Sequence, residues 1–224
     1  MIRPMQNATQ KYMRKSDLNI EIIPGLLAGK YDMPVLSDVY SIPPERMIPF
    51  NMAKSCSDTE AGIHFFIDDY QFDRVWRFPQ RYVELLRKFK CVCTPDFSLY
   101  AEMPLAMKIW NVYRSHAIGV FWQEHGLNVI PTLQWAEPRT FHFCFSGVPS
   151  GTMVAVSTLG AAKSQLSRKM WTCGMEEAVR RLCPTTVLLY GSPIDFDFGN
   201  INVIHYENET IKRMRNYGRQ RGNR

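Results

Sequence analysis

At 224 residues the chain suits one large domain or two small ones, long enough to bury a substantial core. Its 46% hydrophobic and 21% charged residues are an ordinary globular composition, and its apolar runs fall far short of the roughly 20 residues of a spanning helix, which excludes a helical membrane protein. The net charge of +6 can be assigned to the stretch holding Lys212, Arg213, Arg215, Arg219, Arg221 and Arg224, which contains no acid, so the rest is near neutral.

Met1 to Gln6 has no apolar leader, so a cytoplasmic location is expected. The six cysteines then default to free thiols, and the one-residue gap in Cys91-Val92-Cys93 fits neither a zinc knuckle nor a redox pair. Residues 1–45 read as an irregular arm and cover, because Pro24, Pro34, Pro43 and Pro44 remove backbone donors and Gly25 and Gly29 loosen the chain. Residues 46–208 read as a single α/β domain, and 209–224 as a flexible basic tail.

Within that domain Arg46 to Phe50 is a short strand candidate, and Ile63 to Ile67 is a clear one. Phe72, Val75, Trp76, Tyr82, Val83, Leu86 and Phe89 then follow helical spacing, with Pro79 placed to start a second helix. Cys91 to Thr94 is a strand, and Ala106 to Phe121 a helical stripe ending near Gly126. Leu127 to Leu133 is a β run. Thr140 to Phe145 suits either a strand or a helical turn. Met153 to Val156 is a strand, Trp171 to Leu182 an amphipathic helix stopped by Pro184, and Thr186 to Leu189 and Ile201 to Ile204 are the last strands.

Strands alternating with helices imply an α/β fold with parallel pairing. The count permits a degenerate or incomplete TIM-like barrel, with an open doubly wound parallel sheet as the alternative. Both architectures bind ligands at the carboxyl ends of the strands. The residues that follow the apolar runs are Asp68 and Asp69, Asp96, Gln134 and Trp135, Ser157 and Thr158, Tyr190 and Ser192, and Glu207.

Asp68, Asp69 and Asp96 are the candidate catalytic group. Carboxylates converging on one rim suit acid–base or nucleophilic work at a glycosidic carbon, or a divalent metal for phosphoryl transfer, or a structural charge network. Helix capping alone would explain Asp96 or Ser157. Gln134 and Trp135 could read and stack on a base or sugar, with Ser157 and Tyr190 beside them, although a core tryptophan would explain Trp135 equally. Asn111 and Arg114 share a helical face, and Arg114 could hold a phosphate or pair with Asp69 or Glu102. The five histidines show no metal-ligand spacing, and GxGxxG, P-loop and GxSxG motifs are missing. Those gaps disfavour a dinucleotide oxidoreductase, a P-loop NTPase and a typical α/β-hydrolase. A divalent metal is the only cofactor the acids suggest.

Phe65-Phe66-Ile67-Asp68-Asp69-Tyr70-Gln71-Phe72-Asp73-Arg74-Val75-Trp76, Thr94-Pro95-Asp96-Phe97-Ser98 and Ile109-Trp110-Asn111-Val112-Tyr113-Arg114 closely resemble a bacterial and phage family known as domain of unknown function 4417. Val129-Ile130-Pro131, Phe143 to Pro149, Val154 to Thr158 and Tyr190-Gly191 continue the resemblance, which spans about Met33 to Tyr206. Leu159-Gly160 stands where relatives carry a His-Gly pair, so no histidine role carries over there. The family implies mobile-element biology and no particular activity. In element order the chain is also similar, more weakly, to tRNA-guanine transglycosylases, TIM barrels that exchange a base through an aspartate. It lacks their zinc-binding cysteines and Gly-Gly loop.

The reading that joins these features is an enzyme acting on nucleic acid or a nucleotide, by base exchange, glycosidic chemistry or metal-dependent phosphodiester cleavage. The tail would meet phosphate without reading sequence. The rival is a non-catalytic nucleic-acid-binding protein, or one that interacts with a host defence protein.

Overall fold

The structure, a computed structural model, describes residues 2–4, 25–38 and 42–208. The basic tail and most of the N-terminal arm lie outside the described residues. Strands β1 (Ile2–Pro4), β2 (Leu26–Ala28) and β3 (Met33–Pro34) form a small antiparallel sheet. It is pinned to the body by the Leu36 amide, which donates to the Gly147 carbonyl at 2.8 Å. Gly147 has φ +83°, and a Cβ there would strike the Pro34 carbonyl, so only glycine fits this close approach.

The body is an α/β structure with parallel pairing throughout, as the strand–helix alternation implies. Strands β4 (Met47–Pro49), β5 (Gly62–His64), β6 (Cys91–Cys93) and β7 (Val129–Ile130) form a four-stranded sheet in chain order. Strands β8 (Met153–Ser157), β9 (Thr186–Tyr190) and β10 (Asn202–Tyr206) form a three-stranded sheet, also in chain order. A parallel bridge from Thr132 to Ala155 joins the two.

The helices follow local rules. Pro79 opens a 3-10 turn (Pro79–Tyr82) between α1 (Arg74–Arg77) and α2 (Val83–Leu86), where its missing N–H costs nothing. Helix α3 (Leu105–Glu124) closes at Gly126, whose φ is +77°. Helix α5 (Gln165–Leu182) is capped by Ser164, whose Oγ accepts from the Ser167 amide at 3.0 Å, and it stops before Pro184. Two segments left open or overextended by periodicity are resolved. Thr140 to Phe145 is helical, forming a 3-10 turn (Pro138–Thr140) and α4 (Phe141–Cys144). Of the β run from Leu127 to Leu133 only Val129 and Ile130 pair as a strand, with Pro131 following.

Strands β8 and β9 are buried almost throughout, as parallel strands covered on both faces must be. Their side chains divide by the two-residue pleat. Val154, Val187 and Leu189 pack with Trp171, Met175 and Ala178 of α5. Met153, Ala155, Leu188 and Tyr190 point the other way, meeting Met47, Phe66, Cys91, Cys93, Ile130 and Tyr206 from the other strands. A third cluster packs Phe65, Phe72, Phe97, Ile118 and Trp122 between the first sheet and α1–α3. All six cysteines are free, and burial pushes the Cys91 thiol up to about 12. That environment makes it an inert core group.

Candidate functional site

The β5 and β6 ends deliver the acids. After β5, Phe65 and Phe66 stay buried and Asp69 opens a 3-10 turn (Asp69–Gln71), partly buried, while Asp68 is exposed. After β6, Thr94 is buried and Asp96 follows in the loop Pro95–Ser98. That loop bridges the two acids, since the Ser98 amide donates to both Asp69 carboxylate oxygens at 3.2 Å and Ser98 Oγ donates to Oδ1 at 2.8 Å.

Helix α3 and β7 hold the loop by its carbonyls. Ser115 Oγ donates to the Pro95 carbonyl at 2.6 Å, and Asn111 Nδ2 donates to the Ser98 carbonyl at 2.7 Å. These two residues stand one helical turn apart, so they grip opposite ends of a four-residue loop. Gln134, past β7, takes the centre. With its amide turned to satisfy its neighbours, Nε2 donates to the Phe97 carbonyl at 2.8 Å and to Asp96 Oδ1 at 3.1 Å. Thr132, just past β7, ties to Thr94, just past β6, by two bonds it donates: its amide to Thr94 Oγ1 at 2.9 Å and its Oγ1 to the Thr94 carbonyl at 2.7 Å.

The two acids therefore sit in unlike environments. Burial, and secondarily the charge of Asp69, pushes the Asp96 carboxyl up to about 7. Asp69 meets three donor contacts from Ser98, which suits an acceptor-only carboxylate. A carboxyl raised by its surroundings beside a second carboxyl is a recurring acid–base arrangement.

The remaining candidates are distributed unevenly. Arg114 lies over the Phe97 ring at 3.5 Å from the centroid and its Nη1 donates to Asp73 at 3.0 Å, so its partner is Asp73 rather than Asp69 or Glu102. Trp135 is wedged against α5, since its Nε1 donates to the Met170 carbonyl at 3.2 Å and a Cβ on Gly174 would fall within its ring. It is a packing residue there, not a stacking surface on the rim. Tyr190 is 4% exposed, with its ring centroid 4.1 Å from that of His64, inside the structure. Ser157 Oγ accepts from the Leu159 amide at 3.0 Å and its carbonyl accepts from Trp171 Nε1 at 2.9 Å, as a turn residue does. The structure thus brings Asp69, Asp96, Asn111 and Gln134 together, and sets Asp68, Trp135, Ser157 and Tyr190 apart from that network.

Several residues escaped sequence reasoning. Ser98 and Asp73 were hidden because their partners are far along the chain. Lys108 is fully buried, with Nζ donating to Glu137 at 2.6 Å and to the Ala101 carbonyl at 3.0 Å. Its signal was a lysine one turn from Leu105 and Val112 on the apolar stripe of α3. Burial alone would raise the Glu137 carboxyl, but hydrogen bonds from Lys108 and Arg139 bring it down to about 2. His64 is buried below the site, its Nδ1 accepting from the Phe66 amide at 3.1 Å, and burial drops it to about 3, so it is neutral.

Among the described residues no three His, Cys, Asp or Glu side chains converge as a metal would need. No described helix is long and apolar enough to cross a membrane. A cavity of about 460 Å³ between Val35, Asp38, Val120, Gln123 and Asn128 lies at the strand-entry end, away from the acids.

These features define a parallel α/β protein with a half-buried, desolvated acid and a second carboxylate at adjacent strand ends. The chain belongs to the family described as Domain of unknown function (DUF4417), whose model matches residues 27–207. That span includes β3, all of β2 but Leu26, and every residue of the network. The chain is similar to the "Gene 1 protein" of Mycobacterium phage D29, 38% identical over 180 residues, 73% of this chain and 67% of that protein. It is likewise similar to the "Gene 1 protein" of Mycobacterium phage L5, 37% identical over 180 residues, 73% of this chain and 79% of that protein. No solved structure matches the chain.

Proposed function

We propose that the protein is an acid–base enzyme of a mobile element that acts on a nucleotide or nucleic acid, with Asp96 and Asp69 as its working pair. The observation that carries this reading is the Asp96 carboxyl, raised to about 7 beside a second carboxylate at the strand ends. A group that titrates near neutrality both gives and takes a proton at working pH. In glycosidic chemistry Asp96 would protonate the leaving group as the bond to the sugar carbon breaks. Asp69 would present its carboxylate to the electron-poor carbon. Gln134 and Asn111 are positioning residues, acting through Asp96 and through Ser98. The nucleic-acid half of the proposal rests on the six basic residues of the tail.

The fold reading that goes with it is an incomplete barrel. Strand order follows chain order in both sheets, whereas a doubly wound sheet reverses its order at a switch point. Residues from both sheets meet in one inner cluster, His64 of β5 touches Tyr190 of β9, and the Tyr206 hydroxyl of β10 donates to the Pro44 carbonyl beside β4 at 2.6 Å. Those contacts across the strands favour a wall that curls towards closure, with the acids at its carboxyl-end mouth.

The test is a mass-spectrometric survey of host DNA and RNA nucleosides, with and without the protein, and with Asp96→Ala as control. A new nucleoside that vanishes in the variant is the expected result. An unchanged profile would sink base chemistry and leave the binding-protein reading, which predicts oligonucleotide binding indifferent to Asp96.

A further inference from the structure

Beside the acid pair, the nine residues from Arg74 to Tyr82 contain three arginines, three aromatics and no acid. Several arginines elsewhere among the described residues are matched to carboxylates, as in Arg46–Asp58 at 2.6 Å, Arg87–Glu84 at 2.6 Å and Arg180–Glu177 at 2.8 Å. In this strip Arg74 and Arg81 are matched to rings. The Arg81 guanidinium lies 4.1 Å from the centroid of Phe78, and the Arg74 guanidinium lies 5.4 Å from that of Phe50 while its Nε donates to the Tyr82 hydroxyl at 3.0 Å. Arg77 is 71% exposed and comes only within 3.7 Å of Asp73, a carboxylate Arg114 already engages at 3.0 Å. A guanidinium on a ring face keeps its positive charge and most of its donors.

Large rings stand exposed along the same strip. Phe78 is 39% exposed and Trp110 46% exposed. Trp110 is braced edge-to-face by Trp76 at 5.1 Å and stacked on Tyr113 at 5.9 Å, so its ring is held in place before any ligand arrives. Tyr70, next to Asp69, is 78% exposed. Fixed ring faces interleaved with uncancelled arginines are what a single-stranded nucleic acid requires, because its unpaired bases have free faces to stack and its phosphates run alongside. A duplex buries those faces.

We propose that Arg74–Tyr82 together with Trp110 is a track for single-stranded nucleic acid, with bases on Phe78 and Trp110 and phosphates on Arg77 and Arg81, leading the strand to Asp69 and Asp96. The proposal rests on the nucleic-acid reading above and names the surface that would carry it. Direct evidence would come from binding of the full chain to a fluorescent 15-nucleotide oligothymidylate or oligouridylate across a salt series. The double substitution Arg77→Gln/Arg81→Gln should weaken binding at least tenfold and reduce the slope of log affinity against log salt by about 1.4, since each phosphate contact on a single strand contributes about 0.7. Phe78→Leu and Trp110→Leu should each weaken it about tenfold with the slope unchanged, and a duplex of equal length should bind more weakly. Thermal melting of each variant separates lost binding from lost folding, and the exposed Arg77 and Arg81 sites provide the variants least able to disturb the core. If these variants bind like the parent, the track is overturned, while the enzyme reading still stands on its Asp96 test. If the parent binds neither strand nor duplex, the track and the nucleic-acid reading fall together. Equal affinity for the duplex would overturn the single-strand assignment.

Discussion

The rim built from β5, β6 and β7 and the rim built from β8, β9 and β10 are held in different ways. In the second, β8 and β9 pair over five residues and β9 and β10 over five more, so the backbone ladder sets the geometry. In the first, β5 and β6 share only two register pairs, as do β6 and β7. Side chains replace the missing ladder there, with Thr94, Thr132, Asn111, Ser115 and Gln134 all bonding to backbone. A ladder makes a stiff wall out of backbone groups alone. A side-chain scaffold fixes a loop while leaving Asp69 and Asp96 at its edge. The acid that is costly to bury belongs to the second kind of construction, as functional groups commonly do.

The sharpest way to break this contrast is Asp96→Asn. The folded-state carboxyl is raised to about 7 from an ordinary 3.8, so the native protein holds a proton that the unfolded chain has released. Wild-type stability is therefore lowered above pH 3.8, fully so above pH 7. Asparagine keeps the acceptor for Gln134 and removes the charge. Denaturant melts should show the variant more stable at pH 8 by on the order of 4 kcal/mol, with the gain gone near pH 4. A variant less stable at pH 8 would mean the carboxylate is a structural tie and not a functional acid.

Next in size is Lys108→Met. Cutting a buried ion pair on one side should cost about 3 kcal/mol in urea unfolding, moderated because Glu137 keeps Arg139. The Glu137 carboxyl is lowered to about 2, so its contribution is present above pH 4.5 and lost as pH falls towards 2. The variant should lose stability less steeply than the parent over that window.

In the ladder-built half the expected effects are those of packing. Gly174→Ala must displace the Trp135 indole and should cost about 2 kcal/mol, with a shift in tryptophan emission. Smallest is Ser157→Ala, which removes one turn hydrogen bond at a partly exposed site and should change stability by about 0.5 kcal/mol, with catalysis intact. A large catalytic loss from Ser157→Ala would move the working site towards β8 and erase the distinction between the two rims.

Much of the fold was legible in the sequence, because burial on both faces leaves uninterrupted apolar runs such as Val154 to Val156 and Val187 to Leu189, and because proline and glycine mark helix ends locally. The acids after β5 and β6 were legible for the same reason. The roles of Gln134 and Asn111 were legible only as polar residues in favourable places, while the structure adds their protein partners, Asp96 and two loop carbonyls. The packing of Trp135 against α5 and of Tyr190 against His64 was not legible, since an aromatic at a strand end looks the same whether it faces a rim or an inner wall.

By itself, the sequence determined the parallel α/β class, the positions of most strands and helices, and the placing of Asp69 and Asp96 at strand ends, since all of these follow from side-chain period and local backbone preference. Only the tertiary structure decided that Asp96 is half-buried and desolvated while Asp68 faces solvent, that Arg114 answers Asp73, and that Lys108 lies sealed against Glu137. A charge takes its energy from the groups around it and from the water it has lost, and those neighbours come from α3, β7 and their loops, tens of residues away in the chain.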